Sequence, residues 1–164
     1  GMGDNIWLDD RDGVRTPMQW SDAPNAGFSA ADPSRLGDPL IDDPVFGYRQ
    51  VNVDAQRADP GSRLNRMREM LAARKACRAF GRGELQLLQP AGVAVLAYLR
   101  AHGDEVILMV NNLSPDPQQV DLDLAAFAGA WPVDLSTGQA LAQVTREPYQ
   151  MAMGRYEYRW LRLR

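Results

Sequence analysis

The first 58 residues carry no sustained hydrophobic period, and that absence constrains the fold more than any motif does. Turn chemistry recurs instead, at Asp22-Ala23-Pro24-Asn25, Asp32-Pro33-Ser34, Gly37-Asp38-Pro39 and Asp42-Asp43-Pro44. Such runs favour loops, with one-turn helices opening at Asp32 or Asp43. A structureless loop of this length inside a compact domain is rare. The stretch is therefore expected to be functional, or to be held by parts outside this chain. Its aromatic residues, Trp7, Trp20, Phe28, Phe46 and Tyr48, read first as a small core that pins the loop and second as a platform for sugar rings.

Beyond this stretch the pattern becomes regular. Asp59-Pro60 reads as an N-cap and first-turn pair. It predicts a helix over about 60–79, stopped near Gly81 and Gly83. Leu64, Met67, Met70, Leu71, Cys77 and Phe80 form one apolar arc, and Ala72, Ala76 and Ala79 form a small-residue row beside Asn65 and Glu69. Two non-polar faces imply two packing partners. From Glu84 the period is that of strands: Glu84–Leu88, Val93–Arg100, Glu105–Asn111, Gln119–Leu124, Trp131–Leu135, Ala142–Val144, Tyr149–Met153 and Glu157–Leu163. Short strands at turn-marked spacing argue for an antiparallel sandwich. The expected fold is mainly β. Residues 1–83 supply an irregular segment and one long helix, and 84–164 a β-sandwich domain.

Composition narrows the function classes. The net charge is −3 with both signs interspersed, so no basic block points to nucleic acid. No apolar run of 18 residues suggests a membrane span. Cys77 is the single cysteine, which excludes an intrachain disulfide and fits a reducing cytoplasm. On the helix it is expected to be a small core residue rather than a reactive thiol. His102 is the only histidine, and no Cys/His cluster exists. Asp4-Asn5 with Asp9 and Asp10 offer oxygens without the spacing of a calcium loop. Neither a metal nor an organic cofactor is expected.

The densest chemistry lies at 11–20, RDGVRTPMQW, with two arginines, a carboxylate, a glutamine and a tryptophan. Asp12-Gly13 is a turn dipeptide, and Thr16-Pro17 forces extended backbone before the proline. Polar and aromatic groups on a loop often meet ligands, although Arg–Asp pairing on a surface loop would look the same. Four other stretches accompany this one in order: GMGDN at 1–5, NAGFS at 25–29, VNVDAQ at 51–56 and DPGSRLNRMREMLAARK at 59–75. Together they closely resemble the C-terminal part of the trehalose synthase (maltose α-D-glucosyltransferase) family, in the α-amylase superfamily.

The resemblance implies a particular architecture. Residues 1–83 correspond to the last loop and helix of a (β/α)8 barrel, and 84–164 to the family's C-terminal β domain of Greek-key-like type. It implies interconversion of maltose and trehalose through a covalent glucosyl intermediate. The family's nucleophilic Asp, acid/base Glu and transition-state Asp lie on earlier barrel strands, and no carboxylate here matches them. A truncated chain is thus expected to be inactive alone. By resemblance, Arg15 sits at the rim near the aglycone sugar, Asp12 orients it, and Gln19 and Trp20 complete the substrate-binding set. An arginine suits this place because its planar fork bridges carboxylates and hydroxyls. The implied ligand is a disaccharide or α-glucan. A binding module and a purely structural interaction domain are the alternatives. Because the faces of the helix lack a barrel, a homodimer through Met67–Leu71 or through the N-terminal segment is expected.

Overall fold

The computed structural model describes residues 14–90 and 94–163. The chain divides into two compact units, 1–68 and 69–164.

In the first unit, residues 14–52 form turns and irregular backbone with 3-10 turns at Pro24–Gly27 and Pro33–Arg35. Asp32 caps the second of these, accepting from the Ser34 N–H at 2.9 Å. Two helices follow: α1 (Val53–Ala58), and α2 (Arg63–Ala76), whose residues from Glu69 on are counted in the second unit. The expected cap at Asp59 belongs to the end of α1 instead. The Asp59 carboxylate accepts from the Gly61 N–H in the turn, and Ser62 Oγ accepts from the Asn65 N–H at the start of α2. Asn65 then donates its amide to the carbonyls of Gln56, Arg57 and Asp59, covering the open end of α1.

The single helix expected over about 60–79 is in fact two. Cys77 has extended backbone (φ −117°, ψ 115°), which ends α2 and starts α3 (Arg78–Arg82). The break has a packing reason. It turns Cys77 and Ala79 inward, 2% and 0% exposed, against the sheet of the second unit. No residue of α2 is buried, and Met67 and Leu71 are 54% and 47% exposed. The two covered faces expected of this helix are therefore open among the described residues.

The second unit is an antiparallel sandwich. Its strands are β1 (Glu84–Leu88), β2 (Val95–His102), β3 (Glu105–Asn112), β4 (Gln118–Leu122), β5 (Pro132–Asp134), β6 (Tyr149–Met153) and β7 (Tyr158–Leu163). They form a five-stranded sheet in the order β1-β2-β3-β7-β5 and a two-stranded sheet, β4-β6. The hairpin between β2 and β3 pairs His102 with Glu105, leaving Gly103-Asp104 as the loop, and Gly103 takes the positive φ (+60°) that the tight turn needs. The expected strand at Ala142–Val144 is not one. Val144 is nonetheless 1% exposed, held by bonds between its backbone and the backbone of Gly129 and Ala130.

Register explains the core. Leu108, Val110, Leu161 and Leu163 point one way from the large sheet to meet Val120, Leu122, Met151 and Met153 of the small one. Ile107 and Met109 point the other way, where Cys77, Ala79, Phe80 and Trp160 pack on them. The large sheet is thus covered on both faces near its centre. That is why VILMV in β3 is a continuous apolar run, and why Trp160 and Leu163 in β7 break alternation without a bulge. Asn112 closes the end of the sandwich, donating to Asp116 O and Gly154 O and accepting from Ser114.

Candidate functional site

The segment 14–20 has no regular secondary structure, and its side chains divide between inside and outside. Pro17 and Gln19 are buried, while Met18 and Trp20 are 47% and 45% exposed. Gln19 is the anchor. Its amide donates to Phe46 O at 3.0 Å and to Val51 O at 2.8 Å. The carbonyls of Gln19 and Trp20 accept the Val53 and Asp54 N–H groups at 3.0 and 3.1 Å. Asn52 Oδ1 accepts the Ala55 N–H at 2.8 Å. The orphan donors at the start of α1 are thereby matched, two of them by this segment.

A left-handed turn holds the other side. Asn25, Ala26 and Gly27 have φ of 55°, 58° and 66° in succession. An L-residue pays roughly 1–2 kcal/mol for this region, least for asparagine and not at all for glycine. The turn is fixed by Trp20 and Ser21 N–H groups donating to Ala26 O, and by Asn25 Nδ2 donating to Ser29 O and Ala31 O. Asn25 Oδ1, Gln19 Oε1 and Thr16 Oγ1 are buried without a hydrogen-bond partner. An orphaned buried acceptor costs on the order of 1–3 kcal/mol.

The aromatic core expected to pin this loop is not what pins it. Tyr48 is buried at 6% exposure, but Trp20, Phe28 and Phe46 are 45%, 52% and 65% exposed. Side-chain amides and backbone bonds do the pinning, which leaves the rings facing out. Trp7 lies outside the described residues.

Beside the turn is a cavity of about 440 Å³. Tyr48 and Asn25, both buried, form its floor. Pro24, Pro33 and Leu40 give it an apolar wall. Asp22, Asp42 and Arg49 form a charged rim. Arg49 is held from two sides: it pairs with Asp42, and its guanidinium lies 4.8 Å from the centroid of the Tyr48 ring. The neighbouring Asp43 accepts the Val45 and Phe46 N–H groups at 2.9 and 2.8 Å, and these bonds hold its carboxyl below the usual range. The Asp42-Asp43 pair therefore sits at an exposed turn, as expected of the turn-forming run Asp42-Asp43-Pro44.

Of the four residues expected at a site, Arg15 is exposed, Trp20 is half-exposed, Gln19 is buried, and Asp12 lies outside the described residues. Gln19 and Trp20 are brought together with α1 and with the left-handed turn. Sequence reasoning missed Asn25 and the cavity. The signal for Asn25 was present, since asparagine, with a glycine two residues on, is a residue suited to positive φ. No local pattern signals the cavity, because its walls come from three separate turns. Among the described residues no cluster of three or more His, Cys, Asp or Glu side chains could hold a metal ion, and no helix is long and apolar enough to cross a membrane.

Comparison with known proteins matches residues 3–83 to the catalytic domain of α-amylase and 85–160 to the C-terminal domain of maltogenic amylase. A trehalose synthase from Pimelobacter sp. (strain R48) is 48% identical over 99% of this chain and 29% of its own length. The trehalose synthase/amylase of Mycobacterium tuberculosis is 46% identical over 99% of this chain and 28% of its own length. The chain thus spans less than a third of these relatives. Among solved structures, trehalose-6-phosphate hydrolase of Bacillus licheniformis aligns over 93% of this chain and 26% of its own, with a TM-score of 0.70 and 26% identity. Isomaltulose synthase from Klebsiella sp. LX3 aligns over 98% of this chain and 27% of its own, with a TM-score of 0.67 and 28% identity.

Proposed function

The chain belongs to the α-amylase family, and we propose that it is the C-terminal part of a trehalose-synthase-like enzyme that moves an α-glucosyl unit between maltose and trehalose. The observation that carries this reading is the 48% identity to a trehalose synthase along nearly the whole chain.

In this reading the chain supports catalysis rather than performing it. Retaining glycosyl transfer uses two carboxylates about 5–5.5 Å apart, one as nucleophile and one as acid/base. Several of the carboxylates described here are engaged in the fold. Asp42 pairs with Arg49, Asp43 binds two backbone N–H groups, Asp32 caps a turn, and Glu105 binds the Ala79 N–H and Arg162. The catalytic pair is supplied by the part of the relatives' length that this chain does not span. Arg15 and Trp20 form the rim toward the second sugar, Asp12 orients Arg15, and Gln19 fixes the backbone that carries them. Incubating the chain with maltose and with trehalose, with NMR detection of both sugars and of free glucose, tests this. No turnover is expected. Interconversion by the chain alone would overturn the assignment of the carboxylates.

Two further readings each rest on one observation. The exposed Trp20 and Phe28 support a module that holds an α-glucan or disaccharide without converting it. The exposed Met67 and Leu71 on α2 support self-association through that helix. Sedimentation across a hundredfold range of concentration, with Met67→Glu as the control, distinguishes the second. A monomer at every concentration would sink it. We place the protein in the cytoplasm, supported by its single buried cysteine.

A further inference from the structure

We propose that the cavity beside the left-handed turn is a second binding site, for a neutral polyhydroxylated ring such as one glucosyl unit. The glucosyl part of this inference rests on the functional reading above. The site itself rests on geometry within the first unit.

The volume, about 440 Å³, falls within the range of roughly 300–1,000 Å³ typical of small-molecule sites. The distribution of groups selects the ligand. Pro24, Pro33 and Leu40 offer an apolar wall suited to the C–H face of a pyranose. The two rim carboxylates, Asp22 and Asp42, only accept hydrogen bonds, so the ligand must bring donors. Both Asn25 amide protons are taken by Ser29 O and Ala31 O, so Asn25 has no donor to offer, and the Tyr48 hydroxyl is the group on the floor that can donate or accept. Arg49 supplies N–H groups on the rim for a ring or hydroxyl oxygen. It is already oriented by Asp42 and by the Tyr48 ring, which reduces what a ligand must immobilise.

Charge then removes the competing classes. Two carboxylates and one arginine line the cavity, and that arginine is already paired with one of them. A phosphorylated or carboxylated sugar would meet net negative charge. A metal ion would sit beside the Arg49 guanidinium. A neutral ring with several hydroxyls satisfies the acceptors without either conflict.

The test uses the full 164-residue chain and backbone-amide NMR. Maltose, trehalose, glucose, glucose 6-phosphate and sorbitol are each titrated into the wild type, Asp42→Ala and Arg49→Met. Both side chains are exposed, so the variants keep the fold, and the unchanged spectrum outside the cavity verifies it. Saturable shifts at Asn25, Tyr48 and Arg49 are expected with maltose or trehalose. They should weaken at least tenfold in either variant and at least tenfold with the phosphorylated sugar. Shifts at Arg15 and Trp20 alone, unchanged in both variants, would overturn the cavity site and leave the functional reading standing. Cavity shifts equally strong with sorbitol, and none at Arg15 or Trp20, would uphold a polyol site and remove its α-glucoside assignment. Equal affinity for glucose and glucose 6-phosphate would overturn the charge argument, and no shift with any sugar would overturn the site.

Discussion

A single amide, that of Gln19, joins three parts of the first unit: its own extended segment, the turn at Phe46 and the approach to α1 at Val51. Gln19→Ala strips donors from two carbonyls and leaves a void in their place. A loss of about 2–3 kcal/mol is expected from two unmade, partly buried hydrogen bonds. Denaturant unfolding followed at the Trp20 indole would measure it. If Gln19 acted only as a sugar contact, stability would stay within about 0.5 kcal/mol of wild type. Asp43 supports a second prediction. Its carboxyl lies below the usual carboxylate value, first because of the Phe46 N–H and then because of the Val45 N–H. A depressed folded-state pKa means that its contribution is present above the unfolded value, about 3.9, and lost as pH falls through the folded value. The Val45 and Phe46 amides should therefore begin to exchange faster only below about pH 4. In Asp43→Asn that acid step should disappear from both amides. Persistence of the step would assign it to another group.

At the level of elements, the close approach of α3 to the sheet depends on Gly83. A Cβ there would lie 2.6 Å from Ala79 O and 2.8 Å from Ala101 O, both backbone atoms that cannot move away alone. Gly83→Ala should cost about 1–3 kcal/mol by overpacking. Thermal unfolding followed by tryptophan fluorescence, with the Trp160 and Phe80 ring centroids 4.8 Å apart, is the readout. Unchanged stability would mean that α3 is not held where the hydrogen bonds from Arg100 to Ala79 O and Phe80 O place it. The strands were largely legible in the sequence. β1 and β6 coincide with the expected runs, because alternation and turn residues are local signals. The helical region was less so. The break at Cys77 follows from what Cys77 and Ala79 pack against, and a helical period cannot encode a partner that lies many residues away. Nor was α1 foreseen, since six residues make too short a period to detect, and its stability comes from carbonyls of Gln19 and Trp20 far back in the chain. The same limit explains the site: RTPMQW stood out by composition, while the cavity needs Asp22, Asp42 and Arg49 from different turns.

Across the whole molecule, apolar burial is unevenly shared. Pro17, Ala26 and Tyr48 are the buried apolar side chains described in the first unit, and every other one lies at or beyond Cys77. Both hydrophobic clusters among the described residues belong to the second unit. The first unit is held mainly by hydrogen bonds, each worth about 0.5–1.5 kcal/mol net, and carries three buried acceptors with no partner. The second buries side chains worth roughly 1.5–3 kcal/mol apiece. A chain built this way should open in two steps. Amides of Trp20, Gly47 and Val53, although hydrogen-bonded, should be at least about a hundredfold less protected against hydrogen exchange than those of Leu108 and Leu161. Low denaturant should accelerate Leu108 and Leu161 steeply, because their exchange requires exposure of the sandwich core, and Trp20 and Val53 only weakly. Equal protection with equal denaturant dependence would mean that the two units unfold as one, and that burial at or beyond Cys77 stabilises residues 14–68 as strongly as its own sheet.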